Sequence, residues 1–131
     1  MTELIKKLLE LRTLLLLGLV YTFFITTAFL LPASEIPKDR LLNDKVIHVL
    51  LHLILIIIWL AYYYVYNKWN LSFKNLSVIL ILFFFYGIII ESLQQLFLSS
   101  RHADIFDILA NTMGSIIGAL IFWNVKNRIK T

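Results

Sequence analysis

Four long apolar stretches dominate the pattern of hydrophobic and polar positions along the chain. They cover about residues 13–31, 46–66, 76–98 and 105–123. A helix needs roughly 20 predominantly apolar residues to cross a bilayer, and each stretch is of about that length. The sequence therefore predicts an all-α membrane protein, a bundle of four transmembrane helices that forms a single domain over residues 1–131.

The composition supports a membrane environment rather than a soluble fold. Apolar types make up 60% of the 131 residues and charged types 15%. A soluble domain of this size could not bury so many large hydrophobic side chains and would expose aggregating patches. The net charge of +4 could suggest nucleic acid, but basic residues also orient membrane proteins. The expected partner is therefore the lipid bilayer and not nucleic acid. The absence of cysteine excludes disulfides and thiolate metal sites.

The N-terminal segment "ELIKKLLELR" allows two interpretations. Its leucines and isoleucine recur at helical spacing opposite Lys6, Lys7 and Arg12, which is typical of a helix lying along the membrane interface. It could equally be an extension of the first transmembrane helix. A cleaved signal peptide is the less favoured alternative, because the apolar run exceeds the usual core of about 7–15 residues.

The distribution of lysine and arginine predicts the orientation. Eight basic residues lie on the side of both termini and the middle segment, and four lie on the other side. Basic residues accumulate on the cytoplasmic side, so both termini are expected in the cytoplasm and the first and third loops outside. The first set is Lys6, Lys7, Arg12, Lys68, Lys74, Lys126, Arg128 and Lys130, and the second is Lys38, Arg40, Lys45 and Arg101.

Polar residues gather at the outer ends of three of the four spans. Asp44, His48 and His52 are spaced i, i+4, i+8 and share one face of the second span. The other two spans contribute Glu91 and Gln94 from the third, and Asp104, Asp107 and Asn111 at i, i+3, i+7 from the fourth. At about 1.5 Å of rise per residue these stripes reach a similar depth. The spacing predicts one polar pocket between three helices, open to the outside.

Each polar residue taken alone also has a structural explanation. The histidines could be core residues satisfied by hydrogen bonds, and Glu91 could simply pair with Arg101. Asp44, Asp104 and Asp107 could cap the starts of their helices. The alignment of all of them at one depth is what favours a functional pocket.

Small residues on the fourth span predict close helix packing. Gly114 and Gly118, with Ser115 beside them, form a small-xxx-small surface. Gly87 lies one turn before Glu91 on the third span. We expect these glycines to bring the third and fourth spans together, and with them Glu91, Asp107 and Asn111.

Three segments together resemble the VanZ-like family of bacterial membrane proteins: "DKVIHVLLH" at 44–52, "ESLQ" at 91–94 and "RHADIFDILANTMG" at 101–114. The family pattern reads D-K-x-x-H, then E-x-x-Q, then R-x-x-D-x-x-D-x-x-x-N-x-x-G. The resemblance covers about residues 14–122. His52 departs from it, since the family often has an aromatic residue there. The matching positions are Asp44, Lys45, His48, Glu91, Gln94, Arg101, Asp104, Asp107, Asn111 and Gly114.

The resemblance implies a multi-pass protein of the bacterial plasma membrane with a role in the cell envelope. The named member of the family is associated with resistance to the glycopeptide antibiotic teicoplanin, which acts outside the cell on wall precursors. The expected ligand is therefore an amphiphilic lipid-linked or cell-wall precursor, or the glycopeptide itself.

Two classes of function remain open at the predicted pocket. In an enzyme, His48 would be the general base, oriented by Asp44 or Asp107, and Glu91 the acid. Lys45 and Arg101 would hold a phosphate or carboxylate, and the remaining ligand-binding set would be Gln94, Asp104, Asn111 and His52. In a binding or scaffold protein, the same residues would hold a ligand, a partner or only the helices.

A metal and an ion pathway are the less favoured options. His48 and His52, one turn apart, could bind a metal together with a carboxylate. The family pattern does not require His52, so we expect neither a metal nor another cofactor. A proton or ion path is disfavoured because the third span is apolar from Leu76 to Phe85.

Overall fold

A computed structural model describes residues 2–31, 41–98 and 102–130, with the side chains of residues 41–43 left out. It contains a short helix followed by four long ones, and these described residues form no strand. The helices are α1 (Glu3–Leu8), α2 (Leu11–Phe29), α3 (Leu41–Tyr66), α4 (Phe73–Phe97) and α5 (Ile105–Ile129).

The four long helices have the length and composition of membrane spans. Their large apolar side chains face outward: Phe23, Leu96 and Phe97 are each about three-quarters exposed, at 75%, 77% and 74%. Polar side chains such as His48, Glu91 and Asn111 are buried instead. This arrangement suits lipid as the surrounding solvent, because an exposed apolar surface of this extent is not stable in water. The predicted four-helix transmembrane fold is confirmed.

Helices α3 and α5 run parallel and form the centre of the bundle. His48 of α3 contacts Asn111 near the start of both helices, and Tyr64 contacts Phe122 toward their ends. Helix α2 runs antiparallel to α3, since Phe29 at its end stacks on His48. Helix α4 is antiparallel to α5 and packs mainly against it. The start of α3, the start of α5 and the end of α4 therefore meet at one end of the bundle.

Two glycines explain why α3 and α5 lie so close. A Cβ at Gly114 would lie 2.9 Å from the carbonyl carbon of Val49, and one at Gly118 would lie 2.7 Å from the carbonyl oxygen of Leu53. The backbones of the two helices thus touch where these side chains are missing. The expectation that this surface faces the third span, α4, is wrong: it faces the second, α3.

Gly87 does make the expected contact between α4 and α5. Its missing side chain leaves room for Asn111, whose Cβ and Nδ2 atoms would lie 3.6 Å from an added Cβ. A similar gap on α2 is at Gly18, where the ring of Trp59 from α3 packs at 3.0 Å from the position of a Cβ. Glycines therefore set the spacing on both sides of the central pair.

The N-terminal segment is a separate helix rather than an extension of the first span. Thr2 caps α1, which ends at Leu8. Glu10 then adopts an extended conformation, with ψ of 136°, before α2 begins. The continuous-helix interpretation is therefore wrong, while the placement of α1 along the membrane interface stays a prediction.

The end of the bundle opposite the polar residues is built from aromatic side chains. Tyr64 meets the rings of Trp69 and Phe122 edge-on, at centroid distances of 5.6 and 5.8 Å. Phe73 and Trp123 make a similar contact at 6.3 Å. We call Tyr64, Trp69, Phe73, Phe122, Trp123 and Lys126 the aromatic end; they join α3, α4 and α5 where α3 and α5 finish.

Candidate functional site

Side chains from three helices meet at the other end of the bundle in one polar cluster. Helix α3 provides three of them from its first two turns, α4 provides one from its last two turns, and α5 provides the rest with the residue that precedes it. We define the polar cluster as Asp44, Lys45, His48, Glu91, Asp104, Asp107 and Asn111.

His48 lies at the centre of the polar cluster and is 1% exposed. Its Nδ1 atom is 2.9 Å from the amide oxygen of Asn111. With the amide in this orientation its oxygen accepts the hydrogen bond, so the neutral ring carries its proton on Nδ1 and keeps a lone pair on Nε2. Nε2 lies 3.8 Å from a carboxylate oxygen of Asp44 and 3.8 Å from one of Asp107. The ring is thus held in one tautomer, with its basic nitrogen facing two acids.

Lys45 joins the starts of α3 and α5. Its ammonium donates to Asp104 at 2.6 Å and also to Asp107. Asp104 caps α5, accepting from the backbone N–H of Phe106 at 2.9 Å. The hydrogen bond from Lys45 lowers the pKa of Asp104, which keeps this carboxylate ionised. Two of the three N–H donors of Lys45 are thus taken by internal carboxylates, and its expected role in holding an anion gains no support from this arrangement.

Glu91 connects α4 to the same cluster. One carboxyl oxygen accepts a hydrogen bond from the backbone N–H of Asp104 at 3.3 Å. The other oxygen has no hydrogen-bond partner among the described residues, and the side chain is buried, with 2% of the residue exposed. A buried carboxyl oxygen without a partner is costly, so Glu91 has unused capacity to accept or share a proton.

The exposure of the cluster falls steadily from rim to base. The side chains of Asp104, Asp44 and Lys45 are 40%, 30% and 29% exposed, and that of Asp107 is 10% exposed. His48 at the base is almost inaccessible, at 1%. The polar cluster therefore runs from partly exposed side chains to a buried histidine, while the predicted pocket open to the outside stays a prediction.

The helix N-termini at this end of the bundle favour negatively charged side chains. Both α3 and α5 present their N-terminal ends here, and the partial positive charge of a helix N-terminus stabilises carboxylates. Asp44 and Asp107 lie in the first turns of these helices. Within the described residues of the cluster, four carboxyl groups share one lysine. A ligand that brings N–H, O–H or positive charge suits such a site better than a bare anion.

Two predicted residues lie beside the cluster and not in it. Gln94 donates from its amide nitrogen to the backbone oxygen of Phe29, so it ties α4 to α2. His52 is 0% exposed and stacks near Phe29 and Tyr86, at centroid distances of 6.0 and 5.8 Å. Neither ring nitrogen of His52 has a hydrogen-bond partner among the described residues. Arg101, also predicted for this site, lies outside the described residues.

The sequence did not point to the contribution of α2. Phe29 stacks on His48 at a centroid distance of 4.5 Å and closes the base of the cluster with an apolar surface. Below it, the hydroxyl groups of Thr26 and Tyr86 are 2.7 Å apart and link α2 to α4. The one signal was the hydroxyl of Tyr86, which follows three phenylalanines at 83–85. Phe29 gave no such signal, because an apolar residue within an apolar span does not stand out in the sequence.

An apolar groove lies next to these residues on the membrane side of the bundle. It encloses about 180 Å³ between α2, α3 and α4. Leu55 in its wall is three residues after His52, roughly 4.5 Å along the helix. The groove is lined by Thr22, Leu55, Trp59, Leu82, Phe83 and Tyr86.

The fold and this site define a multi-pass membrane protein with a buried polar cluster at one end of its bundle. Residues 10–127 match the VanZ/LLP1 family, and the chain belongs to that family. The resemblance seen in the three sequence segments is thereby confirmed. Neither the search of curated proteins nor the search of solved structures found a match.

Proposed function

We propose that this protein is a cell-envelope protein of the bacterial plasma membrane that binds the polar head of an amphiphilic, wall-related lipid at the outer leaflet. The observation that carries the proposal is the polar cluster itself. A partly exposed rim of Asp44, Lys45 and Asp104 leads to the buried His48, whose Nε2 atom lies 3.8 Å from oxygens of Asp44 and Asp107. A site of this kind binds groups that donate hydrogen bonds.

The head groups of wall precursors fit this chemistry, since sugars and peptides carry many hydroxyl and amino donors. The acids of the rim would accept these bonds, and His48 would accept the innermost proton, the step from which general-base catalysis would start. The apolar groove beside His52 offers a surface for the hydrocarbon part of the same molecule. The polar cluster and the lipid-facing groove would thus bind the two parts of one amphiphilic molecule.

The orientation is part of the proposal, because the cluster must face outward. The chain has no cysteine, so single cysteines can be placed cleanly. Cysteine at exposed His102, beside the cluster, should react with a membrane-impermeant thiol reagent in intact cells. Cysteine at exposed Asn70, beside the aromatic end, should react only after the cells are opened. The opposite pattern would place the cluster in the cytoplasm.

The ligand test compares variants that keep the fold. His48→Asn and Glu91→Gln should insert and melt as the wild type does, yet retain at least about tenfold less lipid. The first loses the ring nitrogen that accepts from the ligand, and the second replaces a carboxyl group that can take up and return a proton with an amide that cannot. Lipid retained on the purified protein is measured by native mass spectrometry. His102→Asn, an exposed histidine at the same end, is the matched control and should retain lipid normally.

The same variants test a contribution to teicoplanin resistance. Cells that express the wild-type protein should tolerate more teicoplanin than cells without it, and His48→Asn and Glu91→Gln should remove that difference. Susceptibility is measured at matched membrane levels of each variant. Unchanged susceptibility on expression of the wild type would separate this chain from the antibiotic role.

One observation favours a second candidate, a scaffold in which the cluster only holds helices together. Lys45 pairs with both Asp104 and Asp107, and these ion pairs join α3 to the start of α5. In that case Glu91→Gln would remove an expensive buried acid and leave function intact. Normal folding, lipid retention and phenotype in both His48→Asn and Glu91→Gln would establish the scaffold.

A further inference from the structure

We propose that Asp44, His48 and Asp107 form a binding site for a divalent transition-metal ion. One ligand atom from each of these side chains lies within 4.8 Å of the others. The set differs from the His48–His52 pair considered from the sequence, because it draws its second carboxylate from α5 and does not include His52. It needs only these three side chains and holds whether or not the lipid proposal does.

The geometry around His48 Nε2 is that of a metal ligand without a competing hydrogen bond. The lone pair of Nε2 faces oxygens of Asp44 and Asp107 at 3.8 Å, which is too long for hydrogen bonds. Two atoms bound to one ion at about 2.0–2.2 Å lie at most about 4.4 Å apart. The two distances from Nε2 fall within that limit, and the oxygens of Asp44 and Asp107 lie within 4.8 Å of each other.

Asn111 supplies the outer contact that metal-binding histidines commonly have. Such a histidine donates its other ring N–H to a carbonyl, carboxylate or water, which fixes the tautomer and aims the ligand nitrogen. Here Nδ1 of His48 donates to the amide oxygen of Asn111, and Gly87 leaves room for that amide. This hydrogen bond is a feature of the site that a simple cluster of acids would not need.

The donor set indicates the kind of ion. One imidazole with two carboxylates suits Zn²⁺, Mn²⁺, Fe²⁺ or Co²⁺, whereas Mg²⁺ and Ca²⁺ prefer oxygen ligands alone. Three protein ligands leave a position open for water or a ligand, as in catalytic metal sites. An ion bound there would occupy the lone pair of His48 Nε2, which accepts a proton in the metal-free protein. The water bound to the ion would then be the proton acceptor instead.

Lys45 is the internal competitor for this site. Its ammonium bonds Asp107, one of the three ligands, from the side of the rim. A divalent ion must share that carboxylate with the lysine or displace it. We therefore expect that removal of Lys45, although it belongs to the polar cluster, strengthens the binding of the metal ion.

The test uses the purified full chain in lipid nanodiscs, stripped with a chelator and titrated with Co²⁺ and then Zn²⁺. The visible absorption of Co²⁺ reports nitrogen and oxygen ligation, and calorimetry gives the affinity. We expect one ion per chain, binding at least about tenfold weaker in His48→Asn, Asp107→Asn and Asn111→Ala, and about tenfold tighter in Lys45→Met. Asp44→Asn, at a 30% exposed side chain, gives a ligand variant with little risk to folding.

The controls separate this site from other histidines. His102→Asn changes an exposed histidine at the same end, and His52→Asn changes the histidine one turn deeper; both should bind Co²⁺ as the wild type does. Saturable binding that is lost in His52→Asn but kept in Asp107→Asn would overturn the proposal in favour of a site on α3 alone. So would the absence of saturable binding in the wild type.

Discussion

The two ends of the bundle hold the same two central helices together by opposite means. At the start of α3 and α5, the polar cluster joins them through Lys45, Asp107, His48 and Asn111. At their far ends, the aromatic end does so through rings in edge-on contact and without a buried ion pair among the described residues. This end of the bundle is therefore closed mainly by aromatic packing.

The helix dipoles follow the same division. The starts of two parallel helices meet in the polar cluster, where their partial positive charge stabilises acids. Their ends meet at the aromatic end, where Lys126 and Arg128 lie in the last turn of α5. Lys126 also lies over the ring of Trp123, 4.3 Å from its centroid. Since one end is closed mainly by aromatic side chains, the costly buried polar groups at the other are the better candidates for function.

The largest loss of stability is expected when a side chain fills the glycine contact between α3 and α5 next to the polar cluster. Gly114→Ala would push a methyl group into the backbone of Val49 and should destabilise the protein by about 1–3 kcal/mol or more. Gly87→Ala is the matched control, because its methyl group would meet Asn111 at an ordinary contact distance of 3.6 Å. Thermal unfolding in detergent, followed by helical circular dichroism, measures both. Equal melting temperatures would show that α3 and α5 are not in backbone contact.

An intermediate effect is expected from the ion pairs of the polar cluster. Lys45→Met leaves Asp104 and Asp107 without their shared lysine and should cost about 1–3 kcal/mol, reduced by the partial exposure of the site. The double variant Lys45→Met with Asp107→Asn should recover part of that loss, because it removes the most buried of the uncompensated charges. Unfolding of the two single variants and the double variant gives the coupling free energy. A coupling free energy near zero would show that the ion pair between Lys45 and Asp107 does not help to join α3 to α5.

The smallest effect is expected at the aromatic end. Lys126→Gln removes the cation over Trp123 and should cost only about 0.5–1 kcal/mol, since the rings remain packed. Lys130→Gln, an exposed lysine four residues later, controls for the loss of one positive charge. The same thermal assay measures the difference between them. A loss as large as that of Lys45→Met would mean that charge supports both ends equally.

Much of this fold could be predicted from the sequence, because lipid imposes a simple rule. Each span must be about 20 apolar residues long and must satisfy its backbone internally, which only a helix does. Polar residues such as His48, Glu91 and Asn111 must then turn away from lipid. Their spacing along α3, α4 and α5 therefore predicted that they would meet, and in the structure they do.

The pairing of particular groups was not predictable, because it depends on which helix each face meets. The small surface at Gly114 and Gly118 indicated a close contact but did not name its partner, since any neighbouring helix gains from packing there. In the structure the partner is α3, and this choice places His48 against Asn111 and Lys45 against Asp107.

The sequence by itself determined the spans, the family and the set of polar residues, because those depend on composition and on spacing along one helix. Only the tertiary structure decided that Gln94 and His52 lie outside the cluster and that Phe29 closes its base. It also decided that two carboxylates from different helices face one nitrogen of His48. The physical reason is that helical periodicity fixes the direction of a side chain around its own axis, while the neighbour in that direction is set by how all the helices pack.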